Sequence, residues 1–215
     1  MRKDPDSGVG NSTMTGHASP PVTIRALGAG ERAAIVRFFL DEMDDVALYW
    51  RFFRTMTPAS VEAYVAQMRF GSGCAVFGAF IDDRLVGVAE LSAIPGSEMC
   101  LENRPGRLSC AELGIAVSNR LRHQGVGRAL MDHLLEQAWA RGLKRIQLSS
   151  LRDNHPMLAL ARRLGFKALR EESGEVIMQA LRPAGWPQAV SPLTQTAAPG
   201  GTATCTARTT NVRCP

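Results

Sequence analysis

The sequence predicts an α/β fold: a single domain built on one mixed, mostly antiparallel sheet of six to seven strands flanked by helices. Three observations carry this expectation. From Val22 to Arg182, apolar runs of strand length alternate with stretches whose apolar residues recur at helical spacing. In the second half, strands are separated by helices, the pattern of locally parallel pairing. In the first half, two apolar runs meet at Asp82-Asp83, an antiparallel hairpin signal.

The elements follow in order. Residues 22–27 read as a first strand, and 31–42 as a helix with Ile35, Phe38 and Phe39 on one face. Thr57-Pro58 supplies an N-cap and a first-turn proline for a helix through Met68. Residues 74–81 and 85–94 are the two hairpin strands, and 98–107 read as a loop. Residues 109–117 make a further strand, leading to a long helix over 125–140 that Gly142 ends. A strand over 145–150, a helix over 154–164 stopped by Gly165, and a last strand over 175–181 complete the pattern.

The chain has 215 residues, 45% hydrophobic and 21% charged, in the range of an ordinary globular protein with room for one domain. Residues 1–21 are small and polar, and 187–215 are mostly Thr, Ala, Pro and Gly, so both are expected to be disordered tails around a domain over 22–186. No apolar stretch follows Met1-Arg2-Lys3, and no run approaches the roughly 18 apolar residues of a membrane span, so a cytoplasmic protein is expected. Five cysteines (Cys74, Cys100, Cys110, Cys205, Cys214) show no C-x-x-C spacing, which predicts free thiols and no zinc site.

The net charge of +5 is unevenly spread. Residues 22–100 hold 7 Lys/Arg against 10 Asp/Glu, and residues 101–170 hold 13 against 5. The second half is therefore where an anionic ligand is expected. No recognition helix or basic, aromatic-interleaved strand points to nucleic acid.

The most informative stretch is Ile115-Ala116-Val117-Ser118-Asn119-Arg120-Leu121-Arg122-His123-Gln124-Gly125-Val126-Gly127-Arg128-Ala129. An apolar strand enters a short basic loop, and two glycines then open an amphipathic helix. Glycine lets backbone approach a ligand closely, and the first helical amides are unpaired and partly positive. Such a turn suits a pyrophosphate. A P-loop would need Gly-Lys-Ser/Thr, which is missing. A dinucleotide fingerprint would need Gly at 130, where Leu130 stands.

The remaining pattern, Arg-x-x-Gly-x-Gly at 122–127, resembles the coenzyme A motif of the GNAT superfamily of N-acetyltransferases. Asn154, its apolar helix and Leu164-Gly165-Phe166 resemble that family's next block. The resemblance implies a GNAT-type domain whose parallel strand pair splays to admit acetyl-CoA as co-substrate, with no metal. It implies that the backbone of Ile115, Ala116 and Val117 pairs with pantetheine. The amides of Gln124, Gly125, Val126, Gly127, Arg128 and Ala129 would hold the pyrophosphate, with Arg122, His123 and Arg128 nearby. Asn154 would touch pantetheine, although it also reads as a plain N-cap before Pro156.

Transfer of an acetyl group from a thioester requires a neutral amine, and a lysine amine of pKa about 10.4 is mostly protonated at neutral pH. A base is therefore expected. Glu112 is the candidate, an acid in the otherwise apolar strand Ala111-Glu112-Leu113-Gly114-Ile115. Its strand, together with Arg51-Phe52-Phe53, Thr57-Pro58-Ala59-Ser60 and Asn154-His155-Pro156-Met157-Leu158, is similar to Pat-type bacterial protein lysine acetyltransferases. In those enzymes a strand glutamate at this place is the general base. Tyr49-Trp50-Arg51-Phe52-Phe53 would shape the acceptor side or serve as a packing face.

One departure stands out. Many GNAT enzymes carry a tyrosine seven residues after the helix-starting asparagine, as the acid for the leaving thiolate, and here that position is Ala161. The expected acceptor is a protein lysine. A small amine is the alternative, with Asp41, Glu42, Asp44 and Asp45 as candidate acids around it, and a non-catalytic acyl-CoA sensor is a third reading. His123, His133 and His155 match no metal-ligand spacing and are expected at surface or capping positions.

Overall fold

The computed structural model describes residues 21–71, 74–94 and 110–186. Among the described residues, seven strands form one sheet in the order β1-β2-β3-β4-β5-β7-β6. They are β1 (Thr23–Leu27), β2 (Cys74–Ile81), β3 (Arg84–Ala93), β4 (Cys110–Val117), β5 (Arg145–Leu151), β6 (Lys167–Glu172) and β7 (Glu175–Leu181). Every neighbouring pair is antiparallel except β4 and β5. The mixed, mostly antiparallel α/β sheet is therefore the architecture present. The expected loop over 98–107 and all of the expected tails except Pro21 lie outside the described residues.

Among the described residues, five α-helices cover the two faces: α1 (Arg32–Asp41), α2 (Asp45–Phe52), α3 (Pro58–Gln67), α4 (Val126–Ala140) and α5 (His155–Arg163). On one face, Ile35, Phe38 and Phe39 of α1, Leu48 of α2, and Val61 and Val65 of α3 pack against Val76, Val88 and Ala116 of the sheet. On the other, Leu130, Met131, Leu134 and Trp139 of α4 and Leu158 and Ala161 of α5 pack against Phe77, Leu91, Leu113, Ile146 and Met178. Strand alternation sends successive side chains to these two cores.

Local chemistry explains the joints. Asp82 and Asp83 both take positive φ (47° and 60°), the geometry of a primed two-residue hairpin turn. Thr57 accepts the Ser60 amide as the N-cap of α3, ahead of Pro58. Two elements go beyond the sequence expectation. Helix α2 is capped by Asp44, whose Oδ1 accepts the Ala47 amide at 2.7 Å. Strand β6 is exposed along its length at the sheet edge and turns into β7 through Ser173 and Gly174, both at positive φ. Cys110 is buried and disulfide-bonded, a correction to the free thiol expected there, while Cys74 is free.

Candidate functional site

Strands β4 and β5 pair only through Cys110, Ala111 and Glu112 against Arg145, Ile146 and Gln147. Beyond that point β4 runs on to Val117 and β5 to Leu151 without pairing to each other. The two strands diverge there, and the opened edge of β4 includes Ile115, Ala116 and Val117. On its other side the same stretch remains paired with β3, from Gly87–Val117 to Leu91–Leu113. An edge of this kind presents unpaired amides and carbonyls to any extended ligand able to pair with backbone.

The opened edge leads into the glycine turn. After Val117, Ser118 enters a short 3-10 turn at Asn119–Leu121, and Arg122 and His123 follow, with His123 at φ 63°. Gly125 takes φ 87° as the N-cap of α4, a conformation that costs glycine little. Among the described residues, no side chain caps this 15-residue helix. Its first internal bond runs from the Ala129 amide to the Gly125 carbonyl at 2.9 Å. The amides of Val126, Gly127 and Arg128 precede it and have no helical acceptor. A Cβ at Gly127 would meet only ordinary contacts, Leu160 and Val117 at 3.5 Å, so internal packing does not explain this glycine.

Arg122 lies over the Trp50 ring, 5.4 Å from its centroid, and Arg128 pairs with Asp132 at 3.3 Å. The Gln124 side chain donates to the Arg120 carbonyl at 3.0 Å. The turn is anchored from beneath. Glu42, at the end of α1, accepts from the buried Ser118 hydroxyl at 2.7 Å and from Arg84, and its carbonyl accepts the Asn119 amide at 2.9 Å. Burial pushes the Glu42 carboxyl up, but the Ser118 and Arg84 hydrogen bonds outweigh it and hold the group below the usual value. Asn154 caps α5 by accepting the Met157 amide at 3.2 Å.

Glu112 occupies the last paired position of β4, where the strands begin to part. Opposite it on β3 stands Ser92, and opposite Gly114 stands Glu90, so Glu90, Ser92, Glu112 and Gly114 share the face that carries α1–α3. The Arg51 guanidinium of α2 lies directly on Gly114, where a Cβ would come within 2.7 Å of its Cζ. Arg51 pairs with Glu90 at 3.0 Å and donates to the Tyr64 hydroxyl at 3.0 Å. Tyr64 in turn donates to Glu90, and the Ser92 hydroxyl donates to Glu90 at 3.3 Å. Burial raises the Tyr64 pKa, which keeps the phenol a neutral donor.

Glu112 is open to solvent on one side, while protein groups crowd the others. Burial is the largest influence and lifts its carboxyl above the ordinary glutamate value. Arg51 pulls it down, Glu90 pushes it up, a hydrogen bond with Ser149 lowers it and Glu175 raises it. An acid so placed combines a base's strength with access to an incoming proton.

Sequence reasoning missed Glu90, Tyr64, Gly114 and Ser149. Glu90 carried the same signal as Glu112, an acid within an apolar strand, and Gly114 was a glycine inside a strand. Ala161 is fully buried in the core, so α5 presents only a methyl group at the position where the sequence departs from many GNAT enzymes. His133 packs edge-on against Phe77, and His123 and His155 are exposed. Among the described residues, no group of three or more His, Cys, Asp or Glu side chains converges as metal ligands would, and no helix is long and apolar enough to cross a membrane.

Residues 40–166 match the family model described as "Acetyltransferase (GNAT) family". Among solved structures, the chain is similar to the GNAT domain of S. lividans PAT, at 20% identity and a TM-score of 0.63, covering 74% of this chain and 89% of that one. It is also similar to a ribosomal-protein-alanine N-acetyltransferase from Brucella melitensis, at 20% identity and a TM-score of 0.57, over 74% and 99% of the two chains. At these identities the likeness concerns the fold. A curated relative, the L-amino acid N-acetyltransferase AaaT of Escherichia coli K12, is 35% identical over 69 residues. That match spans 31% of this chain and 42% of the relative's length.

Proposed function

The chain belongs to the GNAT acetyltransferase family, and on that premise we propose that it is an N-acetyltransferase carrying an acetyl group from acetyl-CoA to a primary amine, with Glu112 as general base. The observation that carries this reading is the coincidence of three features on β4. Its edge opens where pairing with β5 stops, its end feeds the uncapped start of α4, and its acid sits where the opening begins.

The residues divide the work. Acetyl-CoA supplies an activated acyl group as a thioester. The backbone of Ile115, Ala116 and Val117 pairs with the amide groups of pantetheine. The free amides of Val126, Gly127 and Arg128 meet the pyrophosphate, with Gln124, Gly125 and Ala129 shaping the turn around it. Arg122, His123 and Arg128 lie on the anionic side, and the Asn154 amide nitrogen reaches pantetheine while its oxygen caps α5. Glu112 takes the proton from the acceptor nitrogen, directly or through one water, as the nitrogen bonds to the carbonyl carbon. The carbon–sulfur bond then breaks. With Ala161 on α5, the thiolate leaves with solvent as its proton source, which a thiol of pKa about 8.5 permits.

The favoured acceptor is a protein lysine, supported by the shared motifs at Arg51, Thr57, Glu112 and Asn154 and by the structural likeness to the PAT domain. A small amine is the second reading, favoured by the name of the curated relative, which acts on L-amino acids. The domain over 22–186 and a cytoplasmic setting remain part of this proposal.

Glu112→Gln tests the base. The amide keeps shape and polarity, so acetyl-CoA affinity should hold while turnover falls by about 10²–10⁴. The defect should shrink at high pH, where more of the amine is already neutral. A variant that turns over like the parent at neutral pH removes Glu112 from the mechanism.

A further inference from the structure

The acceptor-side face holds a charged assembly that proton transfer itself does not call for. Arg51 and Glu90 are both largely buried, pair at 3.0 Å, and are bridged by Tyr64. An ion pair that only fastened α2 to the sheet could sit anywhere along their contact. This one lies on Gly114, the position that leaves room for the guanidinium, two residues from Glu112 on the same face of β4. That spacing is roughly 6.5–7 Å along a strand. The Arg51 side chain is further restrained by the Phe52 ring, 5.1 Å from its Cζ.

We propose that Arg51, pinned over Gly114 by Glu90 and Tyr64, is a positioning residue for Glu112 that favours its charged form, with Glu90 as a fixed counterweight. This rests on the reading of Glu112 as the base. The groups facing Glu112 come from several elements: Arg51 from α2, Tyr64 from α3, Glu90 and Ser92 from β3, Gln147 and Ser149 from β5, and Glu175 from β7. Within that group Arg51 brings a positive charge, and Glu90 and Glu175 bring negative ones. A base must be ionised to accept a proton, and a carboxylate crowded by protein on all sides but one, near two other acids, would otherwise hold its own proton too long. Arg51 opposes that tendency. Glu90 limits the opposition, so that Glu112 stays basic enough to draw a proton from an amine.

A purely mechanical role and this electrostatic one separate by sign. Arg51→Met removes the positive charge and should move the Glu112 titration to higher pH. Glu90→Gln removes a negative charge while keeping shape, and should move it to lower pH. Arg51→Lys retains the charge and should leave the midpoint near that of the parent. The readout is carbon-13 NMR of glutamate carboxyls in the full chain, with the Glu112 resonance identified by its loss in Glu112→Gln. Opposite displacements support the proposal. Displacements of the same sign, or none, overturn it. If Arg51→Met does not fold, Glu90→Gln carries the test alone, and an unmoved midpoint in that variant overturns the proposal. The base reading is judged separately, by turnover of Glu112→Gln, and its failure would leave the titration result standing by itself. Where both hold, the acidic limb of kcat/KM against pH follows the NMR midpoints in each variant.

Discussion

Glu112 and Gly114 lie two positions apart on β4 and do opposite things: one brings a charge to the sheet face, the other clears space for a charge from α2. Neither role is visible in the strand alone. Glu112 stood out because an acid interrupts an apolar run. Glu90 interrupts its own run in the same way, yet its meaning depends on the β3–β4 register, which local pattern does not fix. The raised pKa of Glu112 has a consequence for stability. In the folded state its carboxyl binds its proton more tightly than in the unfolded chain, where the value is ordinary. Below the unfolded pKa both states are protonated and the group contributes nothing. As pH rises through the two values, the unfolded state gives up its proton first and gains relative to the folded one. Ionised Glu112 is thus a stability cost at neutral pH. Glu112→Gln should be at least as resistant to urea as the parent at pH 7, and the advantage should vanish in acid below the ordinary carboxyl range. A variant clearly less stable at pH 7 would contradict the environment described for this residue.

The proposed coenzyme site rests on the start of α4. Gly127 lies in the first turn of the helix, where glycine costs about 1 kcal/mol relative to alanine, and its Cβ would clash with nothing. What it leaves clear is the approach to the Val126, Gly127 and Arg128 amides. Gly127→Glu should therefore fold normally, since a carboxylate in the first turn suits the helix dipole. It should nonetheless weaken acetyl-CoA binding by more than about tenfold, as a fixed negative charge meets the phosphates. Calorimetry showing unchanged affinity in the folded variant would dismantle the phosphate assignment. This element was legible because strand, basic loop, paired glycines and amphipathic helix are all local signals. Two others were not. Helix α2 is short, and its capping Asp44 lies among other acids that drew attention as substrate ligands. Strand β6, Lys-Ala-Leu-Arg-Glu-Glu, has the composition of a helix and becomes a strand through pairing with β7. Its exposed charges suit a sheet edge that must not recruit another chain.

Across the whole molecule, the alternation of strands and helices sufficed to indicate the mixed sheet, because each face's periodicity is written into the sequence. The splay was not written there. It arises where pairing between β4 and β5 ends, a property of two strands distant in sequence and twisting apart, and only the resemblance to GNAT enzymes anticipated it. The opened edge joins the glycine turn before α4 at one end to a carboxylate and its charged neighbours at the other. In the proposed reading the cofactor lies on the basic second half and the acceptor against the acidic first half. The most direct test of acetyl transfer is incubation of the full chain with acetyl-CoA labelled in the acetyl group, offered together with lysine-containing proteins and a panel of small amines. The account predicts that label accumulates on an amine nitrogen, on protein lysine in preference to the small amines, and that Glu112→Gln strongly reduces it. Tight binding of acetyl-CoA with no label passing to any amine would contradict it and leave an acyl-CoA sensor in its place.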